Sequence, residues 1–331
     1  MNTRLHKDLF PILRRLSDGA FHSGQALAHE FGLSRASVFN VLTQAEGLGM
    51  RIHAVRGRGY RLPDPVDWLD ACEIVRHLGE AATAYEVHVL DSVDSTNRLL
   101  MTEAQACLAD GHVVVAEHQQ AGRGRRGRSW HATPGGGLMF SVLWRFEGGL
   151  QAMAGLSLAV GLAVARAVNR HSTHAARLKW PNDILVGHRK LAGILIEIQG
   201  DMHGMAYAVA GVGLNIRIRG AQRDRIDQAV IDLDEIGVRV GRNRLLADCL
   251  VEMHRVMKVF RCDGFAALRA EWEALDAYAG KLVRLQFPDG DAVSGLVEGV
   301  DETGALRLRD AQGRVHLHNG GEISLRPEIR S

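Results

Sequence analysis

The sequence predicts a three-part α+β protein. It has a winged helix-turn-helix at the N-terminus, a larger mixed sheet with packed helices, and a small β-rich module at the C-terminus. Three observations predict it. Short helix-forming segments around a glycine turn, followed by a basic hairpin, fill the first 62 residues. Strand-like and helix-like runs then mix from Val66 to Tyr278 without a regular βαβ repeat. From Gly280 onward only short β-rich pieces remain, separated by Asp-Gly, Thr-Gly and Gln-Gly turns.

In the first part, Leu5, Leu9, Ile12, Leu13 and Leu16 recur at helical spacing, and Gly19 stops that helix. A second helix is expected over Gln25 to Phe31, broken by Gly32. Ser34 can cap a third, from Arg35 to about Glu46. The segment Arg51 to Val55, the tip Arg56-Gly57-Arg58-Gly59 and the return Tyr60 to Leu62 complete a hairpin wing. Through Leu62 the chain carries nine Lys/Arg against four acids, +5, while the whole chain is only +2. A basic module on a nearly neutral body suits a polyanion, with wing arginines on phosphates or in a minor groove.

Pro63-Asp64-Pro65 is a stiff linker. In the body, Val113 to Ala116, Gly137 to Trp144, Leu191 to Ile198 and Ala206 to Val212 predict strands. Ser95 to Cys107, Ala152 to Asn169, Arg244 to Phe260 and Phe265 to Leu275 predict helices. In the last part, Leu282 to Phe287, Ala292 to Val297, Leu306 to Leu308 and Val315 to Leu317 predict a small barrel or sandwich. The expected boundaries are 1–62, 66–278 and 280–331.

With 331 residues, 46% hydrophobic and 24% charged, the chain can bury cores without disulfides or metals. Cys72, Cys107, Cys249 and Cys262 form no C-x-x-C pair and read as isolated reduced thiols. His171 and His174 read as a surface pair rather than a metal site, and no metal-ligating residue is assigned. Arg4, Lys7, Asp8, Arg14 and Arg15 interrupt any apolar leader, and Ala152 to Val168 contains Arg166. A buried core helix, no membrane association and a cytoplasmic location are therefore expected.

The densest chemical signal runs from Gln119 to Trp130: Gln-Gln-Ala-Gly-Arg-Gly-Arg-Arg-Gly-Arg-Ser-Trp. Its glycines let backbone N–H groups approach a ligand, and its arginines bring positive charge to the same place. This suits a phosphate or an acyl-phosphate, though taken alone it also fits a plain basic loop. Gly122, Gly124 and Gly127 match G-x-G-x-x-G, but the chain continues through Trp130 and Pro134 to Gly137 into a strand rather than a helix. A dinucleotide fingerprint is therefore rejected.

A second signal is Lys179-Trp180-Pro181-Asn182-Asp183 followed by Lys190-Leu191-Ala192-Gly193-Ile194. The run Ile184 to Arg189 reads as a strand end and turn. Lys190, opening the next strand, could meet a developing oxyanion, and Asp183 could accept a proton or orient an amine. Alone, the segment fits an ordinary surface hairpin equally well. Asp94-Ser95-Thr96-Asn97 offers polar groups at a helix start, or simply an N-cap. Gly211-Val212-Gly213-Leu214-Asn215 ends a strand with close-approach glycines and an amide able to meet an adenine or a phosphate. No phosphate-loop, nucleophile-elbow or H-E-x-x-H motif occurs.

In this order, these segments and the ending Gly321-Glu322-Ile323-Ser324-Leu325-Arg326 resemble the biotin–protein ligases, closely the bifunctional bacterial ligase and biotin operon repressor type. The resemblance covers nearly the whole chain. It implies a class II synthetase-like central domain and an SH3-like C-terminal barrel. It also implies that ATP with Mg²⁺ activates biotin to biotinyl-5′-AMP, and that a lysine of the biotin carboxyl carrier protein of acetyl-CoA carboxylase takes the biotinyl group. Carried over to this sequence, Ser95, Thr96, Asn97 and Gln119 line the biotin pocket. Gly122, Arg123, Gly124 and Arg125 close over biotin and the adenylate, with Arg125 also catalytic. Trp130 lies near the adenine and Asn215 near the nucleotide. Lys190 contacts the biotin carbonyl and α-phosphate, and Asp183 positions or deprotonates the acceptor lysine.

Operator DNA is implied as a second partner, bound through Ser34, Arg35, Ser37, Asn40, Arg56 and Arg58 by a homodimer formed with adenylate. The third helix departs from expectation in carrying a single basic residue, Arg35. Two other readings fit the fold: a ligand-sensing transcription factor without turnover, and a lipoate–protein ligase. The latter is not expected to carry the winged helix or this arginine loop.

Overall fold

A computed structural model describes residues 5–104, 109–224, 226, 228–287, 291–319 and 324–327. The N-terminal module consists of α1 (Leu9–Leu16), α2 (Gly24–Glu30), α3 (Arg35–Gly47), β1 (His53–Val55) and β2 (Gly59–Arg61). Ser23 and Ser34 cap α2 and α3, accepting from Ala26 N and Ser37 N. Leu9, Ile12, Leu13, Leu16, Leu27, Val38, Val41 and Leu42 form its own core. The wing pairs His53 with Arg61, and Arg51 and Ile52, expected to belong to its first strand, fall outside it.

The body begins with α4 (Ala71–Leu78), β3 (Glu86–Val93), α5 (Thr96–Glu103), β4 (His112–Gln119), β5 (Gly137–Phe146) and α6 (Leu156–Asn169). It continues with β6 (Ala176–Lys179), β7 (Asp183–Val186), β8 (Arg189–Gly200) and β9 (Ala206–Asn215). The helices α7 (Gly220–Arg223), α8 (Arg242–Asp263) and α9 (Arg269–Ala274) complete it. One seven-stranded sheet runs β3-β4-β5-β9-β8-β7-β6, with β3–β4 parallel and every other pair antiparallel. Alternate residues of β5 and β9 (Leu138, Phe140 and Val142; Ala208, Ala210 and Val212) enter the main core, which also holds the apolar faces of α4, α6 and α8. The opposite face carries α5 over a smaller cluster of Leu100, Val114, Leu143 and Val209. The rest of that face is open, and the site lies there.

Several elements differ from the sequence reading. The helix expected over Ser95 to Cys107 is α5, with Ser95 as its cap, and Cys107 lies outside the described residues. The strand β3 was not predicted: Glu86 and His88 replace apolar residues on one face of an edge strand, which weakens its pattern. The short β6 and β7 form a separate hairpin, where a strand end and turn were expected. Ala152 is in a single-turn segment, and α6 starts at Leu156 after Gly155 adopts φ +79°. The stretch Leu150–Asn169 is long and apolar enough to cross a membrane, yet most of it is buried inside the fold. The helix expected over Arg244 to Phe260 is the longer α8, and Phe265–Leu268 is a tight turn preceding α9.

The C-terminal part consists of β10 (Leu282–Gln286), β11 (Ala292–Val300), β12 (Leu306–Arg309), β13 (Val315–His318) and β14 (Ser324–Pro327). They form an antiparallel sheet in the order β13-β12-β11-β10-β14. Its Val283, Leu285, Val297 and Leu306 belong to the body's main core rather than to a separate one. Gly321, Glu322 and Ile323 of the ending motif lie outside the described residues.

Candidate functional site

The open half of the sheet face carries a cavity of about 460 Å³, a size that suits a small molecule and its cofactor. One end is neutral and polar. Ser95, Thr96 and Asn97 are buried at the start of α5. The Gln119 side-chain carbonyl accepts from Thr96 N at 2.8 Å. Ser141 in β5 donates from Oγ within reach of Thr96 Oγ1 (2.7 Å) and Asn97 Oδ1 (2.6 Å). Asn97 Nδ2 donates to Glu197 Oε2 at 2.9 Å. A polar rim fixed by its own hydrogen bonds is pre-organised to bind a ligand amide or ureido group.

The cationic end begins at the Glu197 carboxylate that Asn97 also binds. Arg123 donates from Nη2 to both Glu197 oxygens, at 2.9 and 2.8 Å. Arg125 Nη1 donates to Asn182 Oδ1 at 3.1 Å. The loop holding these arginines is folded: Gly124 N donates to Arg128 O at 2.7 Å and Trp130 N to Gly122 O at 2.9 Å. Arg126 adopts φ +58°, uncommon for a residue with a Cβ, and donates to Gln286 O of β10. The C-terminal sheet therefore braces the arginine loop.

Lys190 reaches this end through a β-bulge. The register slips between Ile184 and Leu185, so Leu185 pairs with Lys190 while Ile184 pairs with Ala192. Without the slip, Lys190 would share a face with Ala192 and Ile194, which are core. The bulge turns it instead to the cavity face of Gly193 and Leu195. Its Nζ lies 2.7 Å from Asp183 Oδ1, an ion pair not aligned as a hydrogen bond.

The Trp130 ring covers Gly213 and Gly193, where added Cβ atoms would meet it. Its Nε1 is buried without a hydrogen-bond partner among the described residues. Asn215 is mainly a brace, since Nδ2 donates to Lys190 O (3.3 Å) and Ile231 O (3.1 Å). Gly122 meets Trp130 O and the Gln119 side chain closely, so no larger residue fits that turn.

All the residues expected at the small-molecule site, apart from Gly122, line this one cavity. Sequence reading missed Ser141 and Glu197. Ser141 sits inside an apolar strand with no motif around it, and only the β5–β9 pairing brings it to the site. Glu197 lies seven residues beyond Lys190 in the same strand, where period-two alternation from Gly193 would have placed it on the cavity face.

At the nucleic-acid face, Ser34 is occupied as the α3 cap and its Oγ lies 2.8 Å from Ser37 Oγ. Arg35, Asn40 and Arg56 are exposed. Arg58 lies over the Phe21 ring at 4.2 Å, which holds the wing against the module. Phe39, absent from the expected contacts, is 59% exposed between Ala36, Asn40 and Thr43 on the outer face of α3. The sequence cue is its offset of one residue from the buried Val38.

A synthetase-like sheet with a cationic, polar-ended cavity, joined to a winged helix-turn-helix, defines an adenylate-forming ligase class with an appended DNA-binding module. Three family models match in the same order: HTH domain over residues 9–61, biotin/lipoate A/B protein ligase family over 89–215, and biotin protein ligase C-terminal domain over 278–326. The bifunctional ligase/repressor BirA of Escherichia coli is 37% identical over 315 residues, covering 95% of this chain and 96% of that protein. The biotin–[acetyl-CoA-carboxylase] ligase of Mycobacterium tuberculosis is 34% identical over 252 residues, 74% of this chain and 91% of that one. The structure of biotin protein ligase from Aquifex aeolicus in complex with biotin and ATP superposes with TM-score 0.63 at 27% identity, covering 73% of this chain and 99% of that one. This chain belongs to the biotin protein ligase family, with the ligase domain and the helix-turn-helix domain in one polypeptide.

Proposed function

We propose that this chain converts biotin and magnesium ATP to biotinyl-5′-AMP and pyrophosphate, and then transfers the biotinyl group to a lysine of the biotin carboxyl carrier protein of acetyl-CoA carboxylase. The carrying observation is that Lys190, Arg123 and Arg125 line one cavity with the uncharged Ser95, Thr96, Asn97 and Gln119. Ser95, Thr96, Asn97 and Gln119 suit the uncharged ring system of biotin. The cations offset the repulsion between a carboxylate and a triphosphate as the carboxylate oxygen attacks the α-phosphorus. Mg²⁺ enters with the nucleotide as part of the substrate. Asp183 and Glu197 are the carboxylates at hand, and each already holds a cationic side chain.

When substrate oxygens draw Lys190 away, Asp183 is left as a carboxylate at the same spot. It then accepts a proton from the acceptor lysine, whose nitrogen attacks the biotinyl carbonyl while AMP leaves. Trp130 offers a ring face for adenine. Asn215 keeps Lys190 in place, and Gly122 and Gly124 let the loop approach the adenylate.

We further propose that residues 1–62, acting as a homodimer with adenylate bound, recognise operator DNA. Support comes from the net +5 of that segment and the exposed face of α3. The three units are taken as 1–62, 66–278 and 280–331, working together in the cytoplasm. The direct test mixes the purified chain with biotin, magnesium ATP and a carrier domain and follows biotin on the acceptor. The expected result is transfer that Lys190→Ala loses; equal transfer by that variant would sink the assigned site.

A further inference from the structure

At the other end of the sheet, three ligand-type side chains meet outside the site already described. Glu86 and His88 lie two residues apart on β3, so they share a face, and the parallel register sets Glu86 opposite His112 at the start of β4. The Glu86 carboxylate serves both rings. Oε1 is 2.9 Å from His88 Nε2, and Oε2 is 3.3 Å from His112 Nδ1. The two imidazoles stack at 4.4 Å with an interplanar angle of 22°. One ligand atom from each residue falls within 4.8 Å of the others.

His112 supplies the independent observation. It is 7% exposed, and its buried Nδ1 makes no aligned hydrogen bond among the described residues, only the 3.3 Å approach to Glu86 Oε2. A buried ring nitrogen left in this way costs stability unless something binds it. A single cation held by all three groups removes that cost. Two ligands at Zn–N and Zn–O lengths of about 2.0–2.1 Å in tetrahedral geometry stand roughly 3.3 Å apart, so atoms already within 4.8 Å of one another close on an ion by side-chain rotation, which also turns the stacked rings until their in-plane lone pairs converge.

We propose that Glu86, His88 and His112 form a divalent transition-metal site, of the class that prefers two imidazoles and a carboxylate, such as Zn²⁺. Solvent completes the coordination on the exposed side of Glu86 and His88. The bound ion clamps the edge strand β3 to β4. The strand β3 runs on into the Ser95–Asn97 turn on the order of 20 Å away at 3.3 Å per residue, so the site is separate from the cavity. Linear spacing could not reveal it, because Glu86 and His112 become neighbours only through strand pairing.

The test uses full-length protein stripped with a chelator and dialysed, then titrated with Zn²⁺, with Co²⁺ as a visible-absorption probe. His88 is exposed, so His88→Ala is the primary variant. His88→Phe keeps a stacking ring while removing the nitrogen. The wild type should bind one more equivalent of Zn²⁺ than either variant and gain thermal stability on binding, and both variants should keep biotin transfer. A Co²⁺ spectrum with d–d bands should vanish in both. Equal Zn²⁺ stoichiometry in wild type and His88→Phe, or no Zn²⁺ uptake by the wild type at micromolar metal, overturns the site.

Discussion

Lys190 and Asp183, 2.7 Å apart at equal partial burial, are held together only because a bulge breaks the β7–β8 register between them. The resting site therefore stores its main cation and its candidate base as a pair. Separating their roles gives the first prediction. Lys190→Ala should lower adenylate formation by about 10²-fold or more, as expected when a preorganised positive group facing developing charge is removed. Asp183→Asn should leave adenylate forming and slow its transfer to the acceptor lysine by about 10²-fold. Pyrophosphate release and acceptor labelling, measured on the same preparations, distinguish the two steps. Matching losses in both steps for Asp183→Asn would contradict its role as acceptor base.

Gly211 and Gly213 share the cavity face of β9 but touch different partners. A Cβ at Gly211 would overlap the Asn97 amide, and one at Gly213 would overlap the Trp130 ring. Gly211→Ala should therefore weaken biotin binding roughly tenfold or more by displacing Asn97, because a site built on paired polar groups tolerates their displacement badly. Gly213→Ala should weaken ATP instead and leave biotin nearly unchanged. Calorimetric titration of each ligand separately checks the split, and loss of the same ligand in both variants would contradict it.

The three-part architecture was legible because each part has its own local code. Ser34 before an amphipathic run marks a capped helix, and Arg56-Gly57-Arg58-Gly59 marks a tight tip; both formed as expected. The cavity was legible as a set of motifs, since Ser95 to Asn97, Arg123 to Arg125 and Lys190 each lie beside glycines or caps. What stayed hidden depends on pairing. Ser141 looks like any residue of a buried strand until β5 is set beside β9. The edge strand β3 was missed because its outer face carries Glu86 and His88, which only acquire meaning next to His112. The C-terminal module was read as a small barrel or sandwich of its own, and its five-stranded sheet shares the body's core because so few strands cannot bury enough apolar area alone.

Arg242 and Glu117 form a fully buried ion pair that also fastens the segment just after the linker, at Asp67 and Leu69. Arg242 Nη2 donates to both Glu117 oxygens at 3.0 and 2.8 Å, and its Nε donates to Asp67 O at 2.8 Å. Glu117 Oε1 accepts from Leu69 N at 2.7 Å. Removing one partner strands the other charge in the core, which costs about 3–5 kcal/mol. Glu117→Ala should lower the urea midpoint accordingly. The double change Glu117→Leu with Arg242→Met should recover much of that loss. If the double variant is as unstable as the single one, the pair matters through its contacts to Asp67 and Leu69 more than through its charge.

Asp276 gives a pH signature. It is 5% exposed, its Oδ1 accepts from Tyr278 N at 2.9 Å, and its Oδ2 has no hydrogen-bond partner among the described residues. Burial pushes its carboxyl up from 3.8 to about 6. The unfolded chain therefore gives up this proton first as pH rises. Between about 4 and 6 the folded state binds more protons, so stability from this group is present at low pH and falls through that window. The lost amount is roughly 3 kcal/mol at 1.36 kcal/mol per pKa unit. Asp276→Asn does not titrate, so its stability relative to wild type should rise across the same window and level off above pH 6. A difference that stays flat with pH would mean that Asp276 is ionised in the folded protein.

Phe39 and Arg56 should divide the work at an operator. The exposed face of α3 offers the Ala36 methyl, the Phe39 ring, the Asn40 amide and Thr43, with Arg35 as its only basic group. Apolar side chains of this kind read thymine methyls in the major groove, while an asparagine reads adenine. Arg56, at the exposed tip of the wing, has the placement of a phosphate or minor-groove contact. Phe39→Ala should therefore cost about 1–3 kcal/mol against the preferred sequence and little against random DNA. Arg56→Ala should weaken both about equally and reduce the slope of log affinity on log salt by about one. Fluorescence anisotropy on both DNAs across a salt series, with biotin and magnesium ATP present, measures all of this. If Phe39→Ala weakens random DNA as much as the preferred sequence, the ring supports the helix rather than reading bases.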